Sequence, residues 1–376
     1  MTPDPASIAR LLALALAIAA LPLAVWWLRH RGAQTRARLA ALTALTLFLT
    51  VDLIVVGAFT RLTDSGLGCP DWPGCYGQAS PLGARADIGA AQSALPSGPV
   101  TWSKAWIEMI HRYLAMTVGV LIVVMAWTSW RAKRELPHSP WWATATLAGV
   151  IVQGLAGAYT VTLKLYPAVV TAHLLGGLLL LALLALQHES YRDRPLPVSA
   201  RLRAGIAAVL ALLVLQVALG GWVSTNYAVL ACSGFPTCNG HWWPAAMDTA
   251  AQGFTLLRPL GRDGDGGALP FDALVAIHLV HRVAALPMLA ALVALAATLA
   301  RNAAPAQRRF ALALALLSVA QLASGLSNVV LGWPIVAALG HSAGAAALLL
   351  TLVLLLARAW PRAAFTALPS ARMRPA

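Results

Sequence analysis

Nine long apolar stretches, separated by short polar or basic segments, organise this chain of 376 residues. They lie at about 8–28, 39–60, 103–130, 141–163, 168–187, 204–224, 273–300, 310–331 and 335–357. A helix rises 1.5 Å per residue, so about 20 such residues cross the hydrocarbon layer. The pattern predicts an all-α polytopic membrane protein. Composition agrees: 59% of the residues are hydrophobic and 11% charged, where soluble domains carry about 25% charged residues. The first stretch lacks a basic leader and an A-x-A exit, so it does not read as a cleaved signal peptide. Arg10 can snorkel to the near interface.

The pattern is doubled. Aligning Gly57 with Gly220 puts Cys69 on Cys232, Pro73 on Pro236, Cys75 on Cys238 and Gly77 on Gly240. Further on, His111 meets His281, Gln153 meets Gln321, Gly157 meets Gly325 and His173 meets His341. A four-helix unit at 39–187 is therefore expected to recur at 204–357. An even number of spans keeps both copies in one orientation, so they should be four-helix-bundle repeats related by a pseudo-two-fold axis along the membrane normal. Residues 1–38 form an extra N-terminal transmembrane helix and loop outside the repeat.

Charge orients the spans. Arg29, Arg31, Arg36, Arg38, Arg131, Lys133, Arg134, Arg192, Arg194, Arg201, Arg203, Arg301, Arg308, Arg309, Arg358, Arg362, Arg372 and Arg374 all fall on one side. They are 18 of the 27 Lys and Arg, and the positive-inside rule places that side in the cytoplasm. The net charge of +14 thus reports topology; no basic patch of the kind that binds nucleic acid is present. The C-terminus is expected inside, and a bacterial plasma membrane is the simplest home, since no transit peptide precedes the first span. Two long loops, 61–102 and 225–272, then lie outside. Each carries one C-x5-C pair: Cys69 with Cys75, and Cys232 with Cys238. An oxidising exterior favours a disulfide in each. Zinc is the alternative; it needs four ligands, and His241 is the one nearby imidazole. Each bridge reads as a loop staple or a redox pair.

Histidines carry the chemistry. Imidazoles inside a membrane helix are costly and mark function. His111, His173, His281 and His341 occupy matched positions and similar depths toward the outer side. In each unit two of them can face each other across the bundle, as two axial ligands of a haem iron require. Zinc or copper would need carboxylate or thiolate partners that are missing here. Small residues beside the ligands (Gly176, Gly177, Ala343, Gly344, Ala345) suit a flat macrocycle or close helix packing. Arg112 and Arg282 follow their histidines directly and need anionic partners; haem propionates or Glu108 are the candidates. Glu108 lies three residues before His111, on nearly the same helical face. It reads as a proton-exchanging group at a haem, or as a structural partner of Arg112 or Lys104. The second unit has His278 there, as propionate partner or competing ligand. The units therefore differ: one site for chemistry, one for electron transfer. His30, His138 and His188 read as interfacial, and His241 sits beside Trp242 and Trp243 in an aromatic belt.

The run from Gly57 to Gly77, GAFTRLTDSGLGCPDWPGCYG, resembles the first outer loop of bacterial haem A synthases. The Glu108-x-x-His111-Arg112 motif, the doubled unit and the second cysteine pair resemble that family too, over about 39–357. The leading span departs from the family's eight-helix core. The resemblance implies oxidation of the C8 methyl of haem O to a formyl group, by successive hydroxylations, giving haem A for haem–copper oxidases. It implies that His111 and His173 hold the substrate haem, that His281 and His341 hold a resident haem b, and that Glu108 assists proton movement. The Cys69–Cys75 pair would protect the site or relay electrons. Expected partners are membrane lipid, a farnesylating haem O synthase upstream and an electron donor, with room for a homo-oligomer. The competing reading is a dihaem b-type electron-transfer cytochrome, which has no need of Glu108. A transporter is the third; repeats suit it, but it leaves the histidines unexplained.

Overall fold

The computed structural model describes residues 5–136, 138–192, 194–301 and 304–360. The basic residues Arg362, Arg372 and Arg374 lie outside them. The helices are α1 (Pro5–His30), α2 (Thr35–Leu62), α3 (Arg85–Ala94), α4 (Trp102–Arg131), α5 (Trp141–Thr162), α6 (Pro167–Ser190), α7 (Ala200–Thr225), α8 (Ala250–Gly253), α9 (Phe271–Ala300), α10 (Pro305–Val330) and α11 (Ile335–Ala359). A 3₁₀ turn covers Ala245–Thr249. Among the described residues, nine helices are long and apolar enough to cross a membrane, and they are the nine expected. Three begin four or five residues earlier than hydropathy suggests: α2, α7 (from Ala200) and α10. α10 starts at Pro305, whose fixed φ suits a first helical position, and its first turns carry Gln307, Arg308 and Arg309. α2 starts at Thr35 and takes in Arg36 and Arg38. Polar first turns at a membrane boundary are helical by hydrogen bonding, which a hydropathy count does not register.

Helices α2, α4, α5 and α6 pack as one closed ring, α2 on α4, α4 on α5, α5 on α6 and α6 on α2. Helices α7, α9, α10 and α11 repeat that order. The rings meet through α6 against α7, α2 against α11, and α6 against α11. Exchanging the rings maps this set of contacts onto itself. α1 lies outside, against α4 and α2. The largest core cluster runs along the junction, from Leu178 and Leu181 of α6 to Leu348 and Leu352 of α11, with Ile206 of α7 and Leu292 of α9. At the basic end the junction is closed by Arg358, whose Nε and Nη2 donate to the two carboxylate oxygens of Glu189 at 2.9 Å each. Bidentate geometry on a mostly buried carboxylate makes this pair stronger than an ordinary surface bridge.

The irregular backbone is doubled as well. Positive φ occurs at Asp64 (53°) and Tyr227 (56°), at Tyr76 (49°) and Asn239 (52°), and at Leu165 (60°) and Trp333 (67°). Each pair is aligned by the sequence repeat. Cis peptides precede Pro73 and Pro236, also a matched pair.

Candidate functional site

Each of the four membrane histidines lies against a glycine of the helix before it. A Cβ built on Gly57 would come within 2.9 Å of Cε1 of His111, and one on Gly157 within 3.1 Å of Cε1 of His173. On Gly220 it would come within 3.0 Å of His281, and on Gly325 within 3.1 Å of His341. The pairs link α2 to α4, α5 to α6, α7 to α9 and α10 to α11. Only a residue without a side chain lets the Cε1 edge of an imidazole approach the neighbouring helix this closely. His173 and His341 are each the seventh residue of their helix, α6 and α11. Within each unit the two imidazoles are close enough to interact electrostatically, His111 with His173 and His281 with His341.

Two glutamines matched by the repeat back the same helices: Gln153 Oε1 would sit 2.3 Å from a Cβ on Gly176, and Gln321 Oε1 2.5 Å from one on Gly344. The small residues after His173 and His341 therefore make room for a glutamine. This answers the alternative left by sequence, close packing against macrocycle fit, at Gly176 and Gly344. Gln153 also donates to the backbone carbonyl of His173 at 2.5 Å.

These residues fit two haems. Each unit presents two imidazoles on facing helices, the donor set of bis-histidine ligation. Nδ1 of both His111 and His173 is buried without a side-chain hydrogen-bond partner. All four rings are half-buried rather than sealed in the core.

Around the histidines the loops are anchored by the paired arginines. Arg112 Nη1 donates to the carbonyls of Asp71 at 2.9 Å and Pro73 at 3.3 Å, and also to that of Gly74. Its Nη2 meets Glu108 and, at 3.4 Å, the carbonyl of Cys69. Arg282 does the same in the second unit, with Gly234 at 2.9 Å, Thr237 at 3.4 Å and the Cys232 carbonyl. Its Nε donates to Nε2 of His278 at 3.2 Å. Sequence offered haem propionates or Glu108 as partners of the arginines; the structure pairs Arg112 with Glu108 and turns Nη donors of both arginines to loop carbonyls. The reason is that each tight C-x5-C loop points several carbonyls at one spot on the helix below, and an adjacent guanidinium supplies a fork of donors.

Glu108 and His278 thus hold equivalent places, each one turn before the arginine it contacts. Glu108 is only 3% exposed and accepts from the amide of Cys69 at 2.8 Å. Its contacts are with Arg112 and the disulfide loop; Lys104 pairs with Asp64 at 3.5 Å instead. Gly68 lies directly on α4, where a Cβ would overlap the Lys104 backbone at 2.4 Å. Tyr113 adds a hydrogen bond to the carbonyl of Ala79 at 2.7 Å. Cys69–Cys75 and Cys232–Cys238 are both disulfides, which leaves zinc no thiolate. His241 is exposed, and its backbone pairs with Cys238.

Sequence analysis passed over several residues that the structure brings to the site. Gly57, Gly157, Gly220, Gly325, Gln153 and Gln321 were usable as alignment landmarks, and their recurrence in register was the available signal. Arg258, fully buried in the second loop and bonded to Asn226 Oδ1 at 2.6 Å, had no such signal.

A family described as "Cytochrome oxidase assembly protein" matches residues 40–353. The chain belongs to the haem A synthase family. It is 38% identical over 336 residues to a protein named "Heme A synthase" from Shewanella oneidensis, covering 88% of this chain and 99% of the relative. A protein of the same name from Sphingopyxis alaskensis is 31% identical over 343 residues, covering 85% of this chain and 91% of the relative. A third, from Shouchella clausii, is 31% identical over 236 residues, 61% of this chain and 70% of the relative. The family match begins within α2, so α1 lies outside it.

Proposed function

We propose that this protein is a haem A synthase that oxidises the C8 methyl of haem O to a formyl group by successive hydroxylations. The observation that carries the reading is the set of two glycine-backed imidazole pairs in a chain whose relatives are haem A synthases. His111 and His173 would hold the substrate haem. His281 and His341 would hold a resident haem b, which would supply one-electron redox chemistry. The units 39–187 and 204–357 act as parallel repeats with these separate duties. The bacterial plasma membrane houses the nine spans, with the disulfide loops periplasmic and the C-terminus cytoplasmic.

What separates the two units chemically is Glu108 against His278. A carboxylate can take up and return a proton where the substrate unit needs one; a neutral imidazole held by Arg282 has a weaker claim to that role. Arg112 keeps Glu108 oriented and holds the disulfide loop over the unit. The product serves haem–copper oxidases, haem O synthase stands upstream, and an external electron donor completes the cycle.

The test is to co-express the protein with a supply of haem O, purify it, extract the pigments and separate them by reversed-phase chromatography. Wild type should yield haem B together with haem O or haem A. Glu108→Ala should keep haem bound and yield no haem A. Haem B alone from wild type would favour an electron-transfer cytochrome, and an unchanged haem A yield from Glu108→Ala would remove that residue from the mechanism.

A further inference from the structure

The four imidazoles do not share one hydrogen-bond environment. In the C-terminal unit both Nδ1 atoms have partners: Gln216 Nε2 lies 3.1 Å from that of His281, and Ser324 Oγ lies 3.1 Å from that of His341. In the N-terminal unit neither Nδ1 has a side-chain partner; the backbone of Gln153 meets the His173 ring just as that of Gln321 meets His341. The difference is in the sequence. Gln216 stands four residues before Gly220, and the residue four before Gly57 is Leu53. Ser324 immediately precedes Gly325, and the residue preceding Gly157 is Ala156.

The serine defines the proton on its histidine. A hydroxyl has one hydrogen to give, and Ser324 gives it to the carbonyl of Ala320 at 2.7 Å. Its lone pair then accepts from Nδ1–H of His341. A proton on Nδ1 leaves the Nε2 lone pair free for a metal. Gln216 Nε2 also lies 3.1 Å from the carbonyl of His281. In this orientation the amide donates to Nδ1; turning it gives Nδ1–H an acceptor in Oε1, which is buried without a partner here, and gives up the carbonyl contact.

We propose that Gln216 and Ser324 are positioning residues that lock His281 and His341 in the orientation and tautomer of permanent iron ligands. Leu53 and Ala156 leave His111 and His173 without that lock, so the N-terminal pair can take up a haem and release it. The inference rests on the two-haem reading above and adds the reason one site retains its haem while the other turns over. Partners of this kind orient a ligand and raise its basicity, and losing one costs about 10–100-fold in metal affinity.

The test uses the full-length holoprotein in mild detergent, with excess apomyoglobin as haem acceptor and the Soret band as readout. Gln216→Leu and Ser324→Ala should each speed loss of the resident haem by about tenfold or more. Each should also move its midpoint potential in the positive direction, because a less electron-rich imidazole favours the ferric state less. Ser324→Thr, which keeps the hydroxyl, should behave as wild type. Ala156→Ser should slow haem release from the N-terminal pair. Wild-type retention and potential in both Gln216→Leu and Ser324→Ala would overturn the inference, as would unchanged release in Ala156→Ser for its second half. His111→Ala and His281→Ala identify which failure has occurred. If the resident haem depends on His281, a negative result sinks the positioning role alone. If it depends on His111, the assignment of the two units falls and the inference falls with it.

Discussion

Replacing Arg112 by methionine should destabilise the protein more than replacing Arg282, although the two arginines hold their loops in the same way. Both changes remove a guanidinium fork from carbonyls of a disulfide loop, and that loss largely cancels in the comparison. The neighbour left behind differs. Arg112→Met strands Glu108, which is 3% exposed, as a buried carboxylate retaining the Cys69 amide but no counterion. Breaking a buried ion pair by removing one partner costs about 3–5 kcal/mol. Arg282→Met strands His278, 5% exposed, which can be neutral; the loss there is a charged hydrogen bond, about 1.5–3 kcal/mol. The expected gap between the two variants, from the central values, is therefore about 2 kcal/mol, with Arg112→Met the weaker protein. The cause can be isolated by a double-mutant cycle: adding Glu108→Gln to Arg112→Met removes the stranded charge and should restore part of the loss, whereas Glu108→Gln alone should destabilise. Unfolding midpoints in mild detergent, read by tryptophan fluorescence, supply the comparison. Equal midpoints for the two arginine variants, or a double variant weaker than Arg112→Met, would refute the argument that a buried charge distinguishes the units.

Other expectations follow from the same contacts. Gly157→Ala puts a methyl 3.1 Å from His173 Cε1, whereas Gly154→Ala one turn away meets nothing within 4 Å; the first should cost about 1–3 kcal/mol and lower haem binding at the N-terminal pair, the second should be neutral or better, as titrated by haem absorbance. His281→Met or His341→Met should disturb the spectrum of the resident haem, and His111→Met or His173→Met should not; the reverse pattern would exchange the roles of the units. His138, in the loop after α4, is pushed down to about 4 by burial and then by Arg36, and packs edge-to-face on Tyr191 at 4.6 Å. Its neutral form is the folded form, so stability should be level above pH 6.5 and fall between 6.5 and 4, by up to about 3 kcal/mol. His138→Phe should flatten that acid limb in detergent unfolding midpoints; an unchanged limb would assign it to other groups.

Much of this molecule is readable without coordinates. Apolar length alone sets nine helices, because backbone hydrogen bonds have no other partner in hydrocarbon. Recurrence at constant spacing marks the two units, the cysteine pairs and the four histidines, since each copy must solve the same packing problem with the same residues. What no pattern of letters decides is direction. Arg112 and Arg282 sit beside their histidines in sequence, yet their donors turn to the loops, because one residue along a helix is about 100° around it. Glu108 lies within one turn of His111, but its contacts are made one turn on, with Arg112 and the Cys69 amide. Gln216 and Ser324 read as ordinary polar residues in apolar spans until α7 is laid on α9 and α10 on α11. The hydrogen bonds that set the C-terminal pair apart join separate helices, and only the packed bundle brings those partners within reach.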